Sequence, residues 1–244
     1  MELLQDMKTM IQLALPKRHR SHHSDRLESF YASQSSSYDT YRDKLLHGRE
    51  RLMRSLPIPQ GGCLLDMGGG TGRNIEWLGE RVNTLSYISV VDLCPSLLRI
   101  ADRRIGYNKW SNVSTKLADV TSYQPADGPV DAVTFSYSLT MIPNWFDAID
   151  NAYSLLKPGG FIGVLDFYVS DKWPDERLER HSSFGRHFWP MWFGYNNIFL
   201  NPDHLTYLRR KFVMNRLDEL RAPVPYLPGL KVPYYLFIGR KSEN

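Results

Sequence analysis

The chain has 244 residues, a formal net charge of +4, and 42% hydrophobic against 23% charged residues. That is room for one α/β domain with a substantial core and some extra elements, in the ordinary balance of a globular protein. No apolar run is long enough to cross a bilayer, and Met1 is not followed by a signal-peptide pattern. No Cys/His cluster has metal spacing, and Cys63 and Cys94 read as reduced thiols of a cytosolic protein.

The first segment, to about residue 26, stands apart. Leu3, Leu4, Met7, Met10, Ile11 and Leu15 recur at helical spacing; Pro16 interrupts, and Lys17-Arg18-His19-Arg20 with His22 and His23 follow. An amphipathic helix beside a basic cluster has the pattern of an interfacial membrane anchor, although Glu2, Gln5 and Asp6 on its polar face also suit a helix packed on its own domain. Residues 26–56 read as helices broken at Ser33-Gln34-Ser35-Ser36-Ser37. Aromatics there alternate with charges, at Phe30-Tyr31 and Tyr38-Asp39-Thr40-Tyr41-Arg42, as though one face covers a ligand. Leu45, Leu46, Leu52 and Met53 suit packing on a sheet edge, and Pro57, Pro59 and Gly61-Gly62 end the helix.

A regular rhythm follows. Leu64-Leu65-Asp66 is a strand ending in an acid, and Met67-Gly68-Gly69-Gly70-Thr71-Gly72 is a glycine-rich turn leading into a helix with Ile75 and Leu78 on one face. The glycines let backbone approach a ligand closely. The pattern D-x-G-x-G-x-G differs from the dinucleotide fingerprint, which needs a glycine where Arg73 stands. A second strand, Tyr87–Asp92, again ends in an acid, placed to accept hydrogen bonds from two ribose hydroxyls. A helix spans Ser96–Ile105. The third strand, Val113–Ala118, ends at Asp119, and the fourth, Val130–Phe135, ends at Ser136-Tyr137-Ser138. A helix over Trp145–Leu156, the sharp turn Lys157-Pro158-Gly159-Gly160 and a fifth strand, Phe161–Leu165, ending at Asp166, complete the series. In open parallel sheets a ligand sits at the carboxyl ends of the strands, and acids gathered there are costly unless something polar fills the crevice.

Residues 167–204 interrupt the rhythm with an aromatic run that includes Phe167-Tyr168, Trp173 and the stretch from His187 to Phe199, read as a substrate wall or membrane face, or else as core. A helix from about His204 to Phe212 and two strands, Val213–Leu220 and Val232–Arg240, suit an antiparallel edge hairpin. The expected fold is α/β: a doubly wound, seven-stranded, mostly parallel sheet with N-terminal helices in residues 1–60 and a domain over 61–244 carrying the aromatic-rich insertion at about 167–204 before the last helix.

The glycine motif and the K-P-G-G turn resemble those of class I S-adenosylmethionine (SAM) methyltransferases. Longer segments resemble the methyltransferases of betaine-lipid synthesis, the BtaB type. These are Tyr38-Asp39 with Arg42, Leu45-Leu46-His47-Gly48-Arg49-Glu50, the loop from Leu65 to Gly72, Ser136-Tyr137-Ser138-Leu139-Thr140-Met141-Ile142-Pro143, Asp166-Phe167-Tyr168, and the stretch from His187 to Phe199 followed by Asn201-Pro202-Asp203-His204-Leu205. The resemblance covers roughly residues 26–242. It implies three methyl transfers from SAM to the homoserine amine of diacylglyceryl homoserine, with S-adenosylhomocysteine as by-product. The substrate would be met at a membrane surface, by a cytoplasmic protein peripheral on that membrane, and the enzyme that makes diacylglyceryl homoserine is a candidate partner.

The same resemblance assigns roles. Asp66, Gly68, Gly70 and Thr71 would meet the methionine end of SAM, with Ser136 and Met141 beside it. Asp92 would hold the ribose, and Asp119 with Val120 the adenine. Tyr38 and Arg42 would close over the cofactor. An amine must shed a proton before it attacks, which a dry pocket assists, so a general base is optional; the candidates are Tyr31, Tyr137, Tyr168 and His187. Arg49 or Arg186 would pair with the homoserine carboxylate, and Trp189 and Trp192 would face the cationic product. Neither metal nor nucleic acid is implied: there is no N/D-P-P-Y/F motif, and the strong basic cluster is terminal. Competing readings are a phosphatidylethanolamine or other small-amine N-methyltransferase, and a non-catalytic SAM-binding protein on membranes.

Overall fold

The computed structural model describes residues 44–243 except 196, 226 and 228. The expectations placed on Tyr31, Tyr38, Arg42 and the N-terminal amphipathic helix lie outside the described residues.

Seven strands form one sheet in the order β3-β2-β1-β4-β5-β7-β6. They are β1 (Cys63–Met67), β2 (Tyr87–Asp92), β3 (Val113–Leu117), β4 (Val130–Ser136), β5 (Leu156–Phe167), β6 (Val213–Pro223) and β7 (Lys231–Arg240). β1 to β5 pair in parallel, with Asp66 beside Val90 on β2 and beside Thr134 on β4. β7 runs antiparallel between β5 and β6. The expected doubly wound sheet with its edge hairpin is present. The central strands read as unbroken apolar runs because both faces are covered: Leu64, Ile88, Val90 and Ala132 belong to one core layer, and Leu65, Met67, Val91 and Val133 to the other.

The helices are α1 (Arg49–Ser55), α2 (Arg73–Glu76), α3 (Pro95–Asn108), α4 (Trp145–Leu155), α5 (Ser183–Gly194) and α6 (Asp203–Lys211). α1 lays Leu52 and Met53, both fully buried, against the sheet. Gly163 of β5 accommodates it, since a Cβ there would stand 2.9 Å from Leu52 Cδ1. α2 is shorter than its apolar spacing predicts: Gly79 turns the chain at φ +57° into a 3-10 segment, Gly79–Thr84. The K-P-G-G sequence is absorbed into the start of β5, where the pairing with β4 shifts register between Val130 and Ala132.

Part of the aromatic insertion becomes a helix despite Pro190. The Ser182 hydroxyl caps α5, accepting the Gly185 N–H at 3.1 Å. Its inner face, Trp189 and Phe193, packs into the core layer that also holds Tyr137 and Phe167. Neither Cys63 nor Cys94 is in a disulfide. Among the described residues no helix is long and apolar enough to cross a membrane, and no group of His, Cys, Asp and Glu could hold a metal ion.

Candidate cofactor site

β1 delivers the chain to the glycine loop at the carboxyl edge of the sheet. The Gly68 and Gly69 N–H groups donate to Val91 O at 2.8 and 3.2 Å, which pins the loop across the end of β2. Gly68, Gly70 and Gly72 all take positive φ, a conformation open to glycine and strained for other residues. Space excludes side chains as well. A Cβ on Gly68 would stand 2.5 Å from Ser138 Cβ, and one on Gly69 would stand 2.6 Å from Asp66 Oδ2.

The loop forms one wall of a cavity. Asp92, Leu93 and Leu97 line it from β2 and the start of α3, Val120 from the turn after β3, and Ser136, Tyr137, Ser138, Met141 and Ile142 from the end of β4 and beyond. Leu46 and Arg49 close it from the N-terminal side. Asp92 is buried, and its carboxylate accepts the Gly70 N–H at 2.9 Å and the Cys94 N–H at 2.9 Å. Burial pushes its pKa up to about 6, against the pull of the Cys94, Gly70 and Leu93 N–H groups. Ser136 Oγ is buried at the cavity with no hydrogen-bond partner among the described residues.

These features fit a nucleoside carrying an amino-acid arm. The glycines clear the approach, an acid faces a diol, apolar Leu93, Leu97, Val120 and Ile142 suit a flat base, and the Ser136 hydroxyl awaits a polar group. Leu93, Leu97, Ile142 and Leu46 were not anticipated from the sequence. The apolar residue directly after the acid of β2 was the available signal for Leu93.

Two expected cofactor contacts sit differently. Asp66 is wholly buried beneath the loop and does not line the cavity: Asn74 Nδ2 donates to both its oxygens, at 3.2 and 3.0 Å, and Thr134 Oγ1 donates at 2.8 Å. It ties α2 and β4 to the loop, and burial raises its pKa. Asp119 is exposed and folds back on its own turn, accepting from Thr121 N and Thr121 Oγ1 at 2.9 and 2.8 Å. Of that pair, Val120 alone reaches the cavity. Gly68, Gly70, Thr71, Asp92, Ser136 and Met141 do line it.

The candidates for base and substrate contacts separate further. Tyr137 lines the cavity at φ +54°, but its hydroxyl donates to His47 O at 2.6 Å and burial holds its pKa well above the usual value. It is a neutral donor that ties the N-terminal segment to β4, not a base. Tyr168 belongs to the other core layer, where its hydroxyl donates to Glu219. His187 is exposed on α5, its Nδ1 2.7 Å from Ser183 O. Neither lines the cavity, because side-chain direction alternates past the end of β5 and α5 turns His187 to solvent. Arg186 also stays outside, whereas Arg49 is buried at the cavity, close enough to Asp66 and Tyr137 to favour their anionic forms.

Trp189 is core, 4% exposed, and Trp192 is half-buried, stacked on Phe188 at 5.9 Å. Trp189→Ala is therefore expected to cost about 3–5 kcal/mol of stability, with cofactor affinity in the surviving folded fraction unchanged. Denaturant unfolding together with calorimetry checks this; a selective loss of substrate affinity at full stability would contradict it.

The sheet order, the glycine loop and the acid at the tip of β2 define a class I, Rossmann-like methyltransferase site. The chain belongs to the methyltransferase domain family, whose profile matches residues 38–219, and its methyl donor is S-adenosylmethionine. It is similar to the ubiquinone/menaquinone biosynthesis C-methyltransferase UbiE of Hydrogenovibrio crunogenus, 28% identical over 148 residues, which are 58% of each chain. It is also similar to a malonyl-[acyl-carrier protein] O-methyltransferase of a Marinomonas species, 32% identical over 128 residues, 52% of this chain and 46% of that one. The chain thus spans about half the length of the curated relatives it matches. Among solved structures it shares its fold with phospholethanolamine N-methyltransferase 2 of Haemonchus contortus, at a TM-score of 0.68 and 14% identity over 91% of this chain and 61% of that one. That enzyme was solved with phosphomonomethylethanolamine and S-adenosylhomocysteine.

Asp92 gives the site a pH dependence of predictable sign. Hydroxyl donors favour the carboxylate, so a cofactor whose ribose meets Asp92 is expected to lower its pKa and release its proton. Affinity then rises as pH climbs to about 6 and levels off above it. The unliganded protein follows the opposite slope. Burial raises Asp92 to about 6 and Asp166 to about 7, so the folded state holds these protons more tightly than the unfolded chain, and stability falls as pH rises through that window. Calorimetric titration with S-adenosylhomocysteine between about pH 5 and 7.5 measures the first effect; constant affinity would contradict it.

Proposed function

We propose that the protein is an N-methyltransferase that methylates the homoserine amine of diacylglyceryl homoserine three times, giving the betaine lipid diacylglyceryl trimethylhomoserine. The observation that carries this reading is Arg49. It stands in the segment L-L-H-G-R-E by which the chain resembles that family, and it places a buried guanidinium at the mouth of the cofactor cavity. A guanidinium there suits the carboxylate of an amino-acid headgroup, which it can grip through two parallel hydrogen bonds.

S-adenosylmethionine supplies an electrophilic methyl group when bound. The chain's own groups do the rest. The glycine loop and Asp92 hold the nucleoside, Arg49 orients a carboxylate, and the apolar wall of Leu46, Met141 and Ile142 keeps water out and disfavours the ammonium form of the acceptor. No titrating side chain is required at the amine, in keeping with Tyr137 being locked as a donor.

Incubation with isotope-labelled SAM and a panel of lipids, read by mass spectrometry of the lipid products, tests the reading. Mono-, di- and trimethylated homoserine lipid is expected, with products of Arg49→Lys reduced about tenfold or more through a raised KM. Labelling of ethanolamine phospholipid instead would move the acceptor to that class. Tight SAM binding with no labelled lipid would leave a binding protein.

A further inference from the structure

We propose that the outward face of α5, together with the indole of Trp173, is the surface by which this protein docks on an anionic lipid bilayer. The inference deepens the lipid-acceptor reading and rests on it in one respect: such an acceptor has to be reached in a membrane.

α5 has two apolar faces where a surface helix has one. Gly185, Trp189 and Phe193 are buried. On the opposite side Phe184, Met191 and Tyr195 are 63%, 60% and 70% exposed, and Phe199 follows at 62%. Phe184 stacks on Phe188 at 5.0 Å and Phe188 on Trp192 at 5.9 Å, a ladder at four-residue spacing running along the helix. Rings arrayed this way in water are costly unless something apolar covers them.

Charge argues for what covers them. Residues 181–202 contain no Asp or Glu. The neighbouring loop presents Trp173, 72% exposed, with the Arg180 guanidinium 4.5 Å and the Lys172 ammonium 5.6 Å from the ring. Of the acids in that loop, Asp175 pairs with Arg209 at 3.5 Å and Glu179 with Arg221. That leaves Asp171 and Glu176 against Lys172, Arg177 and Arg180. At Trp173 an aromatic ring flanked by long cationic side chains matches the level of lipid headgroups, where the ring reaches the acyl boundary and the cations stay at the phosphates, and the acid-free exposed rings of α5 follow directly in the chain. A second copy of the chain fits less well, because an isologous contact would bring two cationic rims together.

The face is also joined to the cofactor cavity. Phe193 on its inner side packs on Phe167 at 4.8 Å, and Phe167 on the cavity residue Tyr137 at 4.6 Å. One aromatic stack thus runs from the membrane face to the methyl-transfer site.

The test uses the full chain and vesicles of phosphatidylcholine and phosphatidylglycerol, which contain no amine acceptor, so it reads docking apart from the reaction. The triple variant Phe184→Ser, Met191→Ser, Tyr195→Ser changes exposed positions; circular dichroism and S-adenosylhomocysteine affinity confirm its fold. Co-sedimentation of the wild type is expected to weaken with salt and to fall about tenfold or more in the variant. Methylation of homoserine lipid in detergent micelles is expected to persist. Wild type that ignores the vesicles, or a variant within about twofold of it, overturns the proposal. So does a wild-type dimer in the ultracentrifuge that the variant dissolves while vesicle binding is unaffected. Wild type that binds vesicles yet methylates no lipid leaves docking standing and removes the proposed acceptor.

Discussion

Gly68→Ala is expected to weaken cofactor binding about a hundredfold or more. The effect has two independent sources. The backbone at Gly68 sits at φ +67°, which costs an alanine roughly 1–2 kcal/mol. The new methyl would also stand 2.5 Å from Ser138 Cβ and 3.0 Å from Ser138 Oγ. Ser138 cannot step aside easily, because it is buried and its hydroxyl donates to Met67 O at 3.1 Å. The clash is therefore relieved by moving either the loop or the end of β4, and these are facing walls of one cavity. A hundredfold loss is about 2.8 kcal/mol, well within what strain and clash supply together. Gly79→Ala is the control: its φ is +57°, but nothing lies within 4 Å of its added Cβ. It should lose about 1 kcal/mol of stability and no cofactor affinity. Calorimetric titration of both variants decides, and near-equal affinities would show that the loop does not shape the site.

Asp92→Ala is expected to reduce cofactor affinity by about tenfold or more, since paired ribose hydroxyls lose a charged acceptor. The alanine variant also orphans the Gly70 and Cys94 N–H groups, so its stability drops as well. Asp92→Asn narrows the stability loss, because it retains the shape and a carbonyl acceptor for one of the two N–H groups while removing the charge. That variant should still lose affinity, and the remaining affinity should no longer vary with pH below about 6, since the titrating group is gone. Affinity unchanged in both variants would remove Asp92 from the ribose role.

The parts of this protein legible in its sequence were those governed by local rules. The turn from Asp66 to Gly72, the apolar runs of β1, β2 and β4, and the hairpin of β6 and β7 follow from period, breaker residues and burial on two faces. Asp92 was readable as a cavity residue because it ends a central parallel strand. The carboxyls on either side of it were not separable by the same reasoning. Asp66 has the same sequence setting as Asp92, yet Asn74 and Thr134 engage it from below, and those partners come from a helix and a strand that the sequence does not place in register. Asp119 looked like a third contact because it follows a strand, but β3 ends at Leu117, two residues earlier, and the carboxyl serves its own turn.

The aromatic insertion shows the limit most clearly. Its composition announces a surface or a wall but not which ring goes where. Only the helical phase of α5 separates buried Trp189 from half-buried Trp192 and exposed Met191, and Pro190 hid that phase. The substrate roles given to Arg186 and Arg49 had equal standing until packing put one of them at the cavity.

The most direct test of the account is a crystal structure of the protein grown with S-adenosylhomocysteine. The account predicts the nucleoside lying over the tips of β1 and β2, both ribose hydroxyls within about 3 Å of the Asp92 carboxylate, and the base among Leu93, Leu97, Val120 and Ile142. Ligand bound elsewhere on the sheet, or seated there with its ribose turned away from Asp92, would contradict it.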